Sequence, residues 1–212
     1  QSATAPLLKG PAHEYTRSLL AAARPDTTIR PPCGVAEDTP LLTIQGLTAG
    51  YGNKNTHGMP SIRVLEDIDL TVRRGQAIGV IGESGSGKST LARVVAGLLP
   101  PALGILTFDG QPLGGSLSER TDEQFRRIQM VFQNADTALN PMHSVSAILG
   151  RPLKMYFGLK GAALRERIGE LLDLVRLPRA MAERRPNELS GGQKQRVNLA
   201  RALAAKPDLI LC

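Results

Sequence analysis

The segment Gly82–Thr90 limits what this chain can fold into more than any other stretch. It has the sequence Gly-Glu-Ser-Gly-Ser-Gly-Lys-Ser-Thr, which fits the pattern G-x-x-x-x-G-K-[ST]. That pattern is meaningful when a strand precedes it and a helix follows it. The apolar run Ala77–Ile81 just before it is typical of a buried strand. After it, four apolar residues recur at the spacing of one helix face: Leu91, Val94, Val95 and Leu98.

This glycine-rich loop has the chemistry of a phosphate site. Glycines let the backbone wrap closely around an anion because no Cβ blocks the required dihedral angles. The helix N-terminus then points further N–H groups at the same place. Lys88 is placed to neutralise the β- and γ-phosphates of a nucleotide, and the Ser89 hydroxyl to ligate Mg²⁺. The predicted phosphate contacts are Gly82, Glu83, Ser84, Gly85, Ser86, Gly87, Lys88, Ser89 and Thr90.

The composition is that of an ordinary globular protein and disfavours several function classes. Of the 212 residues, 42% are hydrophobic and 21% are charged. Aromatic residues make up only 3% and Trp is absent, which disfavours a base-stacking platform for single-stranded nucleic acid. The net charge of +7 fits nucleic acid, anionic lipid, an anionic ligand or an unspecialised surface. Cys33 and Cys212 match no metal spacing, and no apolar run approaches the roughly 20 residues of a membrane span.

The remaining pattern predicts an α/β domain that begins near Leu41, after a proline-containing linker at 24–40. Further strands are predicted at 41–44, 62–72, 104–110 (closed by an Asp-Gly turn), 128–132 and 209–212. Connecting segments are predicted at 50–52 (a turn carrying Tyr51), 53–60 (an exposed hairpin loop) and 181–188. Helical patterns cover 144–177 and 193–205.

A second motif, Leu-Ser-Gly-Gly-Gln at 189–193, precedes the last predicted helix. Ser190 with Gln193 three residues later forms a capping box, which is a common way to begin a helix. A serine, two glycines and a helix N-terminus also make an anion site. These residues alone therefore leave a plain helix cap and a phosphate contact equally open.

Together the two motifs resemble the ATP-binding-cassette (ABC) family, and the resemblance covers residues 41–212. It implies an α/β P-loop NTPase core of the ABC type. An antiparallel β subdomain is expected at 41–75 and 104–110, and a helical subdomain at about 134–190. ATP and Mg²⁺ are the ligands that the resemblance implies.

Residue roles follow from the same resemblance. Tyr51 matches the residue that stacks on adenine. Gln133 matches the Q-loop glutamine, which reaches Mg²⁺ and the attacking water and touches a membrane partner. Lys88 and Gln133 are thus the expected catalytic residues, and Ser89 and Gln133 the expected metal ligands. The Leu-Ser-Gly-Gly-Gln motif matches the family signature, which binds ATP held by a second cassette through Ser190, Gly191, Gly192 and Gln193.

A finer resemblance is to the oligopeptide, dipeptide and nickel importer ATPases. It rests on residues 132–133 with 139–141 and on residues 188–196. Residues 13–17 also look like the segment that closes such cassettes. The Q-loop departs from the usual Gln-Asp-Pro, because Gln133 is followed by Asn134 and Ala135.

This resemblance implies an ATP-hydrolysing subunit that powers uptake of peptides or similar small solutes. It would lie peripherally on the cytoplasmic face of the inner membrane. Its partners would be a second cassette, permease subunits and, indirectly, an extracytoplasmic solute-binding protein, with no nucleic acid. We expect a tandem arrangement, with the tail of a preceding cassette at 1–23, the linker, and a second cassette at 41–212.

The family pattern continues beyond the position of Cys212 with the Walker B aspartate, the catalytic glutamate, the D-loop and the switch histidine. His13, His57 and His143 all precede the signature, so none of them matches that histidine. We therefore expect a C-terminally incomplete domain that does not turn over ATP at a normal rate, since the missing carboxylates order Mg²⁺ and position water.

Two other functions are compatible with the phosphate loop. A soluble ABC ATPase acting on nucleic acid or the ribosome would use the basic charge. A long coiled coil between Gln133 and Ser190 would favour it, but the sequence there predicts compact helices, which favours transport. A nucleotide kinase would share the loop but leaves the second motif without a role.

Overall fold

The structure is a computed structural model that describes residues 39–212. The predicted cassette tail at 1–23, including residues 13–17, lies outside the described residues, as do residues 24–38 of the linker predicted at 24–40. Pro40, the last residue of that predicted linker, already belongs to a strand. Within the described part, no helix combines the length and apolarity of a membrane span.

An antiparallel sheet with strand order β2-β1-β3-β4 forms the first layer. Its strands are β1 (Pro40–Lys54), β2 (Pro60–Arg73), β3 (Leu103–Phe108) and β4 (Gln111–Pro112). β1 and β2 form a hairpin around residues 55–59, as the polar, glycine-containing sequence predicts. In this loop Asn55 Oδ1 accepts hydrogen bonds from the N–H groups of His57 and Met59. The predicted antiparallel subdomain is thereby confirmed.

The prediction of a turn at residues 50–52 is wrong, because these residues lie inside β1. Gly50 and Gly52 allow β1 to be irregular at this point. A Cβ on Gly50 would lie 1.9 Å from the carbonyl oxygen of Ile62, and Gly52 has a φ of +87°. The pairing of β1 with β2 shifts register on both sides of this segment. Glycine is the usual residue where a strand bulges or another backbone approaches closely.

The β3–β4 hairpin confirms the predicted Asp-Gly turn. Asp109 and Gly110 both have positive φ values, of 53° and 73°. A two-residue turn with two left-handed positions matches the right-handed twist of the strands it joins. Aspartate and glycine are among the residues that adopt this conformation most readily.

Helix α1 (Lys88–Val95) follows the phosphate loop, as predicted. Val94 and Val95 are buried against the antiparallel sheet, together with Leu42, Ile44 and Leu106. The helix ends before Gly97, whose φ is +77°. Leu98 therefore lies beyond the helix and is exposed, although the sequence pattern placed it on the apolar face.

The prediction of a buried strand at Ala77–Ile81 is wrong. The segment has no regular structure, and Val80 and Ile81 are 50% and 96% exposed. A buried parallel strand needs partners that supply its hydrogen bonds and cover both its faces. Neither of the two sheets in residues 39–212 includes this segment. The apolar run therefore remains on the surface.

The α-helices after α1 are α2 (Asp122–Arg127), α3 (Ala135–Ala138), α4 (Val145–Phe157), α5 (Gly161–Leu174) and α6 (Gly191–Ala204). The last three, α4, α5 and α6, supply most of a second core. Val145, Leu149, Leu172 and Val197 are fully buried in this cluster. The predicted helical run at 144–177 is divided, because Gly158 ends α4 with a φ of +64°. The predicted loop at 181–188 contains two short 3₁₀ turns, Arg179–Glu183 and Pro186–Glu188.

A parallel pair of strands packs against the core of the antiparallel sheet. β5 (Ile128–Met130) runs parallel to β6 (Leu209–Leu211). β5 ends two residues earlier than predicted. Beyond its last residue, one further hydrogen bond to β6 forms, from Val131 N to Leu211 O. Parallel strands, flanking helices and an antiparallel layer together confirm the predicted α/β fold class.

Four charged side chains form a closed ring between the two sheets. Arg74 donates to Asp109 and to Asp208 at 3.0 Å each. Arg127 donates to Asp109 at 2.6 Å and also to Asp208. Because each carboxylate is shared by both guanidinium groups, the ring joins the end of β2, the β3–β4 turn, the end of α2 and the start of β6. Hydrogen bonds from Arg127 and then Arg74 hold the pKa of Asp109 below its usual value.

We predict that Asp109→Asn lowers the free energy of unfolding at pH 7 by roughly 1 kcal/mol. Asparagine tolerates the left-handed backbone, so the variant removes charge without adding strain. The lowered pKa of Asp109 means that its contribution is complete above the unfolded value of 3.8 and disappears as pH falls through the folded value. Urea unfolding at pH 7 and pH 3 measures the difference, which should shrink at pH 3.

Asp67→Asn is the matched control. Asp67 also has a positive φ, of 50°, but its carboxylate is in no ion pair with residues 39–212. An equal loss of stability in the two variants at pH 7 would contradict a role for the ring.

Candidate nucleotide site

The first five residues of the phosphate loop are open to solvent. Gly82, Glu83, Ser84, Gly85 and Ser86 are exposed, whereas Gly87 is buried. Gly85 and Gly87 have φ values of +88° and +96°. A Cβ on Gly87 would lie 2.9 Å from Leu65 Cδ2 and 3.2 Å from the Val64 carbonyl. The glycine therefore lets the loop pack onto β2 and fixes where α1 begins.

Lys88 holds the loop together from within. Its Nζ donates to the carbonyl oxygens of Gly82 and Glu83 at 2.8 and 2.5 Å and to Ser86 Oγ at 3.3 Å. An ammonium group has three protons to donate, so these acceptors satisfy it fully. The charge thus lies between the two ends of the loop and beside the N-terminus of α1, where both attract an anion.

The two hydroxyl residues after Lys88 face different surroundings. Ser89 is exposed on the first turn of α1, so its oxygen is available to a ligand. Thr90 is buried, and its Oγ1 lies 3.3 Å from the hydroxyl of Tyr51. The structure therefore brings Tyr51, predicted to contact the base, next to the phosphate loop.

A buried arginine anchors the other end of α1. Arg120 donates to the carbonyl oxygens of Val95 at 2.6 Å, Val94 at 3.3 Å and Gly114 at 2.9 Å. A cation is favoured at a helix C-terminus because the last carbonyls are otherwise unpaired. Burial lowers the pKa of Arg120 to about 10, with Glu119 opposing the effect. A side chain at Gly97 would collide with this guanidinium, since its Cβ would lie 2.7 Å from Nε.

The backbone around Gln133 is held by one face of α6. Gln195 Nε2 donates to the Gln133 carbonyl at 2.6 Å, and Arg201 Nη1 donates to the Ala138 carbonyl at 2.6 Å. Lys194 Nζ lies 2.5 Å from the Asp136 carboxylate. Residues three, four and seven apart share a helix face, so these side chains form one polar stripe. The side chain of Gln133 itself remains exposed.

Asn198 is the buried centre of this stripe. It is 0% exposed, and its Nδ2 donates to the Phe132 carbonyl at 2.9 Å. Its Oδ1 accepts from Arg201 Nη2 at 2.9 Å. Burial lowers the pKa of Arg201, whose charge is balanced here by backbone and amide oxygens. In residues 39–212 no fully buried side-chain polar atom lacks a partner.

The signature residues form the predicted capping box at the start of α6. Ser190 Oγ accepts from Gln193 N at 3.4 Å, and Gln193 Oε1 accepts from Ser190 N at 2.9 Å. Gly191 and Gly192 are exposed, and a Cβ added to either glycine would meet no atom within 4 Å. Among the described residues, no hydrogen bond or ion pair joins this box to Gly82–Thr90. The N-terminus of α6 thus faces solvent and makes no hydrogen bond or ion pair with the phosphate loop of the same chain.

Sequence reasoning missed the arginines and the asparagine that position these elements. Arg93, Arg120 and Arg201 act on groups 25 to 63 residues away, which no local pattern reveals. Asn198 did carry a signal, because a polar residue beside Val197 and Ala200 interrupts an apolar helix face.

Similarity to known proteins agrees with this arrangement. The family model described as ABC transporter matches residues 65–212. The chain belongs to the ABC transporter family. The family match and the geometry of the loop, the capping box and the Gln133 segment agree with the resemblance drawn from the two motifs.

Two relatives confirm the finer resemblance to importer ATPases. The nickel import ATP-binding protein NikE of Escherichia coli (strain K12) is 42% identical over 173 residues, 81% of this chain and 64% of that protein. A putative peptide import ATP-binding protein of Brucella abortus (strain 2308) is 40% identical over 162 residues, 76% of this chain and 48% of that protein. The chain therefore spans about half to two thirds of the length of these relatives.

Two solved structures of ABC proteins have a fold similar to that of this chain. One is cbiO1 of Clostridium perfringens, part of the transporter complex cbiONQ, with a TM-score of 0.67 and 26% identity over 82% of this chain and 64% of that chain. The other is the dimeric ATP-binding cassette MJ0796 bound to ADP and Pi, with a TM-score of 0.67 and 30% identity over 80% of this chain and 72% of that chain. These similarities confirm the predicted P-loop NTPase core.

We predict that Asn198→Ala lowers the free energy of unfolding by about 1–3 kcal/mol, because the Phe132 carbonyl and Arg201 Nη2 both lose their amide partner, while Arg201 Nη1 keeps its bond to the Ala138 carbonyl. Gln195→Ala is the matched control on the same helix face. Gln195 is exposed, so water replaces its hydrogen bond and the loss should be well under about 1 kcal/mol. Urea unfolding compares the two variants, and equal losses would contradict a central role for the buried amide.

Proposed function

We propose that this chain is the nucleotide-binding part of an ABC importer ATPase that powers uptake of peptides, nickel or similar small solutes. The observation that carries the proposal is the glycine loop with Lys88 at its centre and the N-terminus of α1 behind it. The names of the two relatives, nickel import and peptide import proteins, support the solute class.

The residues of the loop would bind the triphosphate of ATP. Backbone N–H groups of Gly82–Gly87 and the first turn of α1 would donate to phosphate oxygens. Lys88 would exchange part of its contacts with the loop carbonyls for the β- and γ-phosphates, keeping its charge where it already lies. Tyr51, next to Thr90, would stack on adenine.

Mg²⁺ fits the donors that the site offers. In residues 39–212 no group of three or more His, Cys, Asp or Glu could hold a metal on its own. Ser89 and Gln133 instead supply exposed neutral oxygens, which suit an ion that keeps several waters and binds substrate phosphates. When bound, Mg²⁺ neutralises the charge of the phosphates.

The capping box at Ser190–Gln193 would serve a second cassette. Its exposed glycines and helix N-terminus are open to an anion from outside this chain. We assign it to the γ-phosphate of ATP held by the other cassette, so two sites form only when two such domains meet head to tail. The tandem arrangement inferred from residues 1–23 would supply that second cassette.

We predict that the purified chain binds MgATP and that Lys88→Ala weakens binding by roughly a hundredfold or more, because the charge partner of the phosphates is lost. Isothermal titration calorimetry measures both affinities. Lys154→Ala, which removes an exposed lysine on α4, is the control and should bind as the wild type does. Wild-type protein that fails to bind MgATP, or binding that does not depend on Lys88, would refute the proposal.

A soluble ABC ATPase acting on nucleic acid is the less favoured alternative. The helices between Gln133 and Ser190 are compact, with 13 residues in α4 and 14 in α5, and form no long coiled coil. Many basic side chains also pair with carboxylates instead of forming a free basic face: Arg74, Arg126, Arg127, Arg167, Arg179 and Lys194.

A groove beside Gln133 is the proposed contact with a permease at the cytoplasmic face of the membrane. The groove has a volume of about 440 Å³ and lies between β5 and α4. Exposed apolar side chains line it, among them Leu98, Leu117, Phe132 and Met155. Arg151 and Arg201 are its cationic members. It therefore fits a short apolar helix that carries an acidic residue, presented by a membrane subunit.

We predict that Met155→Glu weakens pelleting of the protein with membranes of its own cells by about tenfold, because it places a charge in an apolar contact. Leu174→Glu is the matched control, since Met155 and Leu174 are 63% and 64% exposed and Leu174 does not line the groove. Protein-free vesicles of the same lipids separate binding to a permease from binding to lipid. Equal losses in both variants would contradict the proposed contact.

A further inference from the structure

The hydroxyl of Tyr51 is held by helix α1 at two points. Arg93 Nη1 donates to it at 3.0 Å, and it shares a hydrogen bond of 3.3 Å with Thr90 Oγ1. Thr90 and Arg93 are three residues apart and so lie on the same face of the helix. The hydrogen bond with Thr90, and secondarily the contact with Arg93, lower the pKa of Tyr51 against the opposing effect of burial.

The backbone on both sides of Tyr51 is closely packed against β2. Gly50 lies against the Ile62 carbonyl with no room for a Cβ. On the other side, the left-handed Gly52 would place a Cβ 2.2 Å from Ser61 Oγ. An aromatic ring whose backbone and hydroxyl are both held has few positions left to adopt, since its side chain has only two torsions.

The environment of Arg93 differs from that of other arginines in this chain. Arg74, Arg126 and Arg127 each pair with a carboxylate. Arg93 is exposed and has no carboxylate within ion-pair distance among residues 39–212, and it donates a hydrogen bond to a neutral phenol. An arginine near a phosphate loop is ordinarily understood as a charge for the phosphates. Here the guanidinium is directed to Tyr51, the side chain proposed to stack on the base.

We propose that Arg93 is a positioning residue for base recognition, which holds the Tyr51 ring in its stacking position relative to the phosphate loop. The inference rests on the proposed function, in which Tyr51 stacks on adenine. Preorganising a contact residue strengthens binding because less freedom is lost when the ligand arrives. Arg93 should therefore affect a ligand that has a base and spare one that has only phosphates.

The test compares ATP with inorganic tripolyphosphate, both with Mg²⁺, by isothermal titration calorimetry on the 212-residue chain. Arg93→Met keeps the aliphatic stem and removes the donor. We expect it to weaken ATP binding by about threefold to tenfold, which is the range for one hydrogen bond, and to leave tripolyphosphate affinity unchanged. Arg165→Met, which changes an exposed arginine on α5, is the control and should alter neither affinity.

A double-mutant cycle shows whether Arg93 acts through Tyr51. Tyr51→Phe keeps the ring but removes the hydroxyl, and with it the hydrogen bonds to both Arg93 and Thr90, so it should weaken ATP binding at least as much as Arg93→Met. The double variant should be no weaker than Tyr51→Phe alone, because the Arg93 contact is already absent there. Additive losses would overturn the proposal. Equal losses of ATP and tripolyphosphate affinity in Arg93→Met would also overturn it, since they would make Arg93 a phosphate contact.

Tyr51→Ala separates this inference from the function it rests on. If Tyr51→Ala weakens ATP but not tripolyphosphate, stacking holds, and an unchanged ATP affinity in Arg93→Met then refutes the positioning role alone. If Tyr51→Ala leaves ATP affinity unchanged, stacking itself is refuted and the inference with it. Wild-type protein that binds neither ligand refutes the nucleotide site.

Discussion

The buried amide of Asn198 is the interaction that joins helix α6 to the segment after β5. It donates to the Phe132 carbonyl on one side and accepts from the Arg201 guanidinium on the other, and Asn198 itself is fully buried. A low local dielectric makes such a network strong when complete and harmful when one member is missing. Because Asn198 lies on α6, the helix that begins at the signature also fixes the segment that leads to Gln133. One rigid element therefore carries both features.

The same physical solution recurs at the C-terminal end of α1, the helix that follows the phosphate loop. Arg120, like Arg201, is a mostly buried guanidinium whose partners are backbone carbonyls instead of carboxylates. Each arginine supplies several donors in a planar fork and so satisfies acceptors from two segments at once. In one case the fork holds the end of α1, and in the other the segment at Ala138. Backbone position near the site is thus set by a few long side chains that reach across the fold.

Local chemistry made some parts of the site predictable from the sequence. The glycine loop, the capping box at Ser190 and the Asp-Gly turn each depend on neighbouring residues, and the structure contains all three. Where the structure depends on distant partners, prediction failed. The run Ala77–Ile81 has the composition of a strand, but composition does not supply a neighbouring strand. Residues 50–52 have the glycines of a turn, yet pairing with β2 keeps them in a strand.

The exposed segment Ala77–Ile81 has a consequence for how this protein behaves in solution and in the cell. Its side chains are aliphatic and carry no charge, and its backbone belongs to no sheet of residues 39–212. Short uncharged aliphatic segments with free backbone groups are the usual starting points of intermolecular β-pairing. The segment therefore gives the purified chain a place for intermolecular β-pairing directly in front of the phosphate loop.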